Sequence, residues 1–161
     1  MTVHGHGLGK GRSSNSLVYT QTCATWNVSS LRVWKLELVI SEMDRCGVKV
    51  LGFAEHWLLS EGRFITKCGN SVFLAGKQDG RRSSSVGFIM EKETSKAVLG
   101  YNQISGRIIT LRMQAHPMNI TFVKIYAQIT DSTEEVGEAL YNSTHKALDK
   151  ILKKAYTHPD G

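Results

Sequence analysis

The sequence predicts an α/β fold in which a mixed sheet carries flanking helices. Three observations point there. A strand–helix–strand pattern opens the apolar part of the chain, shorter β-type segments separated by turn signals follow, and a long segment with helical spacing comes last.

Residues 1–17 are rich in Gly and Ser and poor in apolar residues, the composition of a flexible tail. Val18 to Val28 reads as a strand, with β-branched and aromatic residues and no breaker. Ser29 and Ser30 are placed to cap a helix. Leu31 to Cys46 then has helical spacing, with Leu36, Val39, Ile40 and Met43 recurring at i, i+3, i+4 and i+7. Gly47 supplies the stop. Val48 to Phe53 is an apolar strand interrupted only by Lys49, and two strands joined in this way lie parallel. Ser71–Ala75 and Val86–Met90 flank a Gly-, Arg- and Ser-rich stretch, which reads as a hairpin with a long basic loop. Lys96–Tyr101 is a further strand. Arg107–Gln114 and Asn119–Tyr126 flank Ala115-His116-Pro117-Met118 as a second hairpin. Thr133–Ala155 reads as a helix opened by Ser132 and Glu135 in a capping-box pattern. Its expected buried stripe is Val136, Leu140, Ala147, Leu148, Ile151 and Leu152. The domain expected from this pass is 18–155, between a basic tail at 1–17 and a short tail at 156–161.

The chain has 161 residues, 41% of them apolar, which suits one domain with a true core and excludes a disordered chain. No apolar run approaches the roughly 20 residues of a membrane span. The first sixteen residues lack an apolar h-region, so no secretory signal is expected and the setting is read as intracellular, nuclear or cytoplasmic. Cys23, Cys46 and Cys68 are odd in number and widely spaced, which fits reduced structural thiols rather than a disulfide frame or a zinc site. The formal net charge of +6 permits an anionic partner such as DNA without requiring one, and the excess is spread along the chain.

Ligands in parallel-stranded sheets collect outside the carboxyl ends of the strands. Asn27 ends the first strand of the strand–helix–strand unit and Glu55 follows the second. If the strands are neighbours, an amide oxygen and a carboxylate converge on one rim and suit a hard divalent cation. The bland alternative is a capping Asn27 and a solvated Glu55. Tyr126 ends a later strand, where its hydroxyl could meet a phosphate or simply pack in the core. Arg107, after Gly106, could pair with Glu55 or a phosphate, or be a surface charge. His56, His116 and His145 lack metal-ligand spacing, and His4 and His6 stand alone in the tail. Lys77, Arg81 and Arg82 make the basic hairpin loop a weak candidate for nucleic-acid contact.

Four strings resemble, in order, the motifs of the endonuclease/exonuclease/phosphatase superfamily with the deoxyribonuclease I-like fold. They are ATWNV at Ala24–Val28, VKVLGFAE at Val48–Glu55, SGRIITLRM at Ser105–Met113 and VKIYAQITDS at Val123–Ser132. The linking sequence, such as KLELVISEMDRCGVKVLGFAEHW and NITFVKIYA, resembles the retrotransposon-derived endonuclease branch, craniofacial development protein 2-like sequences included. The resemblance runs from about Thr22 to Leu152. It implies the N-terminal half of a four-layered α/β sandwich, with Asn27 and Glu55 helping to bind magnesium or manganese (Mg2+ or Mn2+). It also implies Tyr126 bonded near the scissile phosphate and Arg107 close by. Members of the family cleave phosphodiesters by in-line attack of water.

Three departures qualify that picture. The later family motifs, Gly-Asp-x-Asn and Ser-Asp-His, which carry the catalytic base, are not among these residues. Gln128 stands where the family's Tyr-Ala-Pro turn has proline. Glu55-His56-Trp57 is one residue shorter than the branch's Glu-x-Arg-Trp. The functions in competition are a partial phosphodiesterase domain inactive by itself, a non-catalytic module binding nucleic acid or protein, and an active hydrolase completed by another chain. Half of a sandwich is also expected to bare an apolar sheet face, which a protein partner would cover.

Overall fold

A computed structural model describes residues 2–7, 17–31, 33–56, 62–76, 85–127 and 134–157. The elements are β1 (Thr2–Gly7), β2 (Leu17–Leu31), α1 (Val33–Arg45), β3 (Val50–His56), β4 (Gly62–Ile65), β5 (Ser71–Ala75) and β6 (Val86–Met90). They continue with α2 (Lys92–Ser95), β7 (Val98–Ser105), β8 (Ile108–Met113), β9 (Ile120–Ile125) and α3 (Glu134–Thr157). The result is a mixed α/β arrangement with two sheets. Six strands lie in the order β1-β2-β3-β6-β5-β4, and three in the order β7-β8-β9. Among the described residues only β2 and β3 pair in parallel; the other pairs are antiparallel.

The short runs VLGFA, SVFLA and VGFIM are apolar but for Ser71 because both of their faces are buried. Side chains alternate across a strand, so each run feeds two cores. Leu51, Phe53, Val72, Leu74 and Ile89 meet Leu36, Val39, Ile40 and Met43 of α1, the stripe read from the helical spacing. Val50, Ala54, Phe73, Ala75, Phe88 and Met90 point the other way, onto Ile109, Leu111 and Met113 of β8. Edge-to-face pairs stitch the two sheets together: Phe73 with Tyr101 at 5.1 Å between centroids, and Phe88 with Phe122 at 6.4 Å.

α1 ends as Gly47 requires. Its φ of +66° is a conformation glycine adopts without a Cβ penalty. Gly47 N–H then bonds to Asp44 O at 3.1 Å and Val48 N–H to Met43 O at 2.8 Å, the paired bonds of a Schellman stop. The short α2 is capped by Glu91, whose carboxylate accepts from Thr94 N–H at 3.0 Å and from the Thr94 hydroxyl at 3.1 Å.

Several expectations change. Ser29 and Ser30 lie within β2, which runs on to the buried Leu31, so they do not cap α1. The register with β3 shifts between Asn27 and Leu31, and that irregularity lets the strand continue past its partner's regular pairing. Residues 2–7, expected as tail, pair antiparallel with β2. A ladder asks only for backbone donors and acceptors, so a Gly- and His-containing segment can join it. The domain boundaries at 18 and 155 accordingly become strand and helix that extend past them, with β2 opening at Leu17 and α3 closing at Thr157. Strand β4 was not expected at all. In α3, Ala147 is buried while Leu148 is 43% exposed, so the buried stripe is narrower than the spacing suggested. Ser132 and the basic loop with Lys77, Arg81 and Arg82 lie outside the described residues. As for the expected bare sheet face, α1 and the chain's own second sheet occupy the two faces of β3, β5 and β6.

Candidate functional site

The parallel pairing of β2 with β3 sets Asn27 opposite Ala54, and Glu55 is the next residue of β3. The two residues singled out for a cation therefore lie at the carboxyl ends of adjacent parallel strands. Cys23, Thr25 and Asn27 share one face of β2 by alternation. Cys23 packs against the core between the sheets, whereas Thr25 and Asn27 are exposed. That face thus leaves the core and reaches solvent at the rim. Burial raises the Cys23 thiol above its ordinary pKa, which disfavours a thiolate there.

Tyr126 and Arg107 come together in the second sheet. Arg107 sits in the turn between β7 and β8, and its carbonyl accepts from Tyr126 N–H at 3.0 Å, just beyond the end of β9. Arg107 N–H donates to Ser105 Oγ at 3.2 Å, which shapes the turn. Tyr126 is half-buried against the inter-sheet core, and Arg107 is half-buried too.

A residue not singled out from the sequence connects the two halves. Lys124 of β9 donates from Nζ to Thr25 Oγ1 at 2.5 Å. Its stem crosses Gly52 of β3, where a Cβ would stand 3.2 Å from Lys124 Cδ and 3.4 Å from Phe88 Cε1. Gly52 is the residue paired with Thr25, so the lysine spans β3 to reach β2. Desolvation by partial burial lowers the Lys124 pKa from its ordinary value. Among the described side chains, which do not include that of Glu55, it takes part in no ion pair. The signal was present in the sequence. Phe122, Lys124 and Tyr126 alternate onto one face of β9, so a lysine falls in an inward register, and a lone glycine interrupts the apolar VLGFA run.

A second feature lies on the far side of the smaller sheet. A groove of about 830 Å³ separates its outer face from α3. Arg112, Lys146 and Lys150 line it, and among the described residues no carboxylate does. His145 and Asp149 of α3 form a pair at 3.6 Å. No helix among the described residues is long and apolar enough to cross a membrane.

Fold and site together define a mixed α/β domain of two packed sheets, with polar residues gathered where parallel strands end. No protein-family profile matches the chain. The chain is homologous to proteins named craniofacial development protein 2. It is 35% identical over 131 residues to the one from Tragulus javanicus and 34% identical over 131 residues to the one from Bos taurus. Each alignment covers 78% of this chain and 21% of the relative, so the chain spans about a fifth of the length of these relatives.

Proposed function

We propose that this chain carries the N-terminal, cation-binding part of a phosphodiester-cleaving domain of the endonuclease/exonuclease/phosphatase type, half of a four-layered α/β sandwich. The observation that carries the reading is the parallel register of β2 and β3, which sets Asn27 beside the strand position that precedes Glu55. An amide oxygen and one carboxylate are hard donors of the kind magnesium accepts, with water and substrate oxygens completing its shell. Bound there, magnesium would supply charge stabilisation at the scissile phosphate. This chain's own part is to hold the cation through Asn27 and Glu55 and to present Tyr126 and Arg107 as donors to phosphate oxygens. The Lys124–Thr25 bond supports the reading because it joins the strand bearing Asn27 to the strand leading into Tyr126. The motifs for the catalytic base are not among these residues, so cleavage by the chain alone is not expected. An intracellular setting, with DNA as the substrate class, goes with this reading.

The test is a magnesium titration of the folded chain followed by amide chemical shifts, with Glu55→Ala as control, alongside incubation with supercoiled plasmid. Saturable shifts around Asn27 and Glu55, lost in the variant, together with intact plasmid, are the expected result. Magnesium-dependent nicking that disappears in Glu55→Ala would show that the chain is active alone. Absence of magnesium binding in a folded chain removes the phosphodiesterase reading.

A second reading is a non-catalytic module that binds nucleic acid or protein. The groove with Arg112, Lys146 and Lys150 and no carboxylate favours its nucleic-acid form. DNA binding at low salt, weakening as salt rises and as Lys146 and Lys150 are neutralised, would support it.

A further inference from the structure

We propose that Lys124, held on Thr25 two residues before Asn27, makes this rim a phosphate site with a protein-borne cation, able to take a phosphate group without a divalent metal. The proposal rests on the phosphodiesterase reading for its choice of anion and extends it to a group that reading does not use. Three features build the site. The first is position: successive residues on one strand face lie about 7 Å apart, so the ammonium stands one pleat from Asn27, at the end of the inter-sheet core. The second is the route of the side chain. Gly52 leaves the lane through which the Lys124 stem passes beside Phe88, and any larger residue would narrow it. A lysine merely reaching solvent would not need a glycine beneath it on the neighbouring sheet. The third is chemistry. The ammonium has three N–H donors and no acceptor. Its partner is the neutral Thr25 hydroxyl, and none of the ion pairs formed by the described side chains, a set that leaves out Glu55, involves it. Thr25 Oγ1 accepts from Nζ and so keeps its own proton to donate. A tetrahedral oxyanion at this point meets a fixed positive charge and two kinds of donor, on a partly desolvated stem where charge interactions are stronger than in bulk water.

The experiment titrates inorganic phosphate into the full chain in EDTA at low ionic strength, following the amides of Thr25 and Lys124 and the Lys124 side-chain resonances. Saturable shifts are expected in the wild type. Lys124→Gln, shown to be folded by its amide spectrum, is expected to weaken the apparent Kd at least about tenfold. Lys124→Arg keeps the charge and is expected to retain binding within a few-fold. Gly52→Ala displaces the stem and is expected to weaken binding with Lys124 still present. No saturable shift in the wild type, or equal affinity in a folded Lys124→Gln, overturns the proposal. The magnesium titration reports separately. Magnesium binding without phosphate binding in EDTA leaves the phosphodiesterase reading standing and ends this one. Phosphate binding without magnesium binding does the reverse for the cation role of Asn27 and Glu55.

Discussion

Replacing Gly87 with alanine tests the packing that holds β3, and with it the rim, in place. Gly87 pairs with Phe53 of β3 on one side and with Leu74 of β5 on the other, in the middle of the larger sheet. A Cβ there would stand 2.5 Å from Phe73 O, 2.6 Å from Phe53 Cζ and 2.9 Å from Phe53 Cε1. The ring can turn only within a fully buried site, and the carbonyl belongs to the neighbouring strand, so relief requires the backbones to part. Overpacking of this kind costs about 1–3 kcal/mol. A backbone acceptor as obstacle puts Gly87 toward the upper end. Alanine recovers roughly 0.4–1 kcal/mol by narrowing the unfolded ensemble, so a net loss of about 2 kcal/mol is expected. Urea unfolding followed by tryptophan fluorescence would show it as a midpoint lowered by about 1 M, given a slope of about 2 kcal/mol/M. The control is Gly100→Ala, where nothing lies within 4 Å of the added carbon. It is expected to stay within about 0.5 kcal/mol of the wild type. Phe53→Leu added to Gly87→Ala should cost less than the sum of the two single changes, because the leucine withdraws one of the two obstacles. Equal stability of Gly87→Ala and Gly100→Ala would refute the packing argument.

Two further outcomes follow from the titrating groups. Burial alone would raise the Glu91 carboxyl, but hydrogen bonds from the Thr94 and Glu93 N–H groups and the Thr94 hydroxyl, with the charge of Lys49, outweigh it and hold it below the ordinary carboxylate value. Its contribution is therefore complete above an unfolded pKa of about 4.3 and is lost as pH falls through the lower folded value. Glu91→Ala is expected to cost about 1 kcal/mol at neutral pH by removing the α2 cap, a difference that thermal unfolding should find diminished in strong acid. Lys124 has the opposite sign for stability: its folded pKa is lowered, so the charged form is penalised in the fold at neutral pH. The penalty fades as pH rises from the folded value toward an unfolded pKa of about 10.4. Lys124→Met should therefore gain on the wild type at pH 7 relative to its standing above that range, in unfolding experiments run across the alkaline window. A constant difference across that window would remove the desolvation argument.

Much of the architecture was legible because it is written in local periodicity. Leu36, Val39, Ile40 and Met43 describe a helix face wherever that helix docks, and all four are buried in the fold. Ser71–Ala75 and Val86–Met90 read as strands because an apolar run of that length, bounded by turn residues, has few other uses. The adjacency of Asn27 and Glu55 was legible for the same reason: a strand–helix–strand unit returns the chain parallel to itself, and strand ends then coincide. The bond between the Tyr126 N–H and the Arg107 carbonyl was legible as well, since it continues the β8–β9 hairpin one step past Ile108 and Ile125; the choice of Thr25, on the other sheet, as the partner of Lys124 was not. Nor was the exposure of Leu148, because α3 turns Ala147 inward and a stripe read from spacing does not say how wide the contact is.

What the sequence by itself determined is the class of fold, the order of most elements and the parallel strand ends that lie side by side. Those follow from side-chain alternation, helical period and turn chemistry, all of which act over a few residues. What only the tertiary structure decided is which sheet faces meet and what crosses between them. Lys124 became part of the candidate site because β9 packs over a glycine in β3 and beside a threonine in β2. Three strands distant in sequence set that arrangement together, and its free energy lies in burying the apolar face they share.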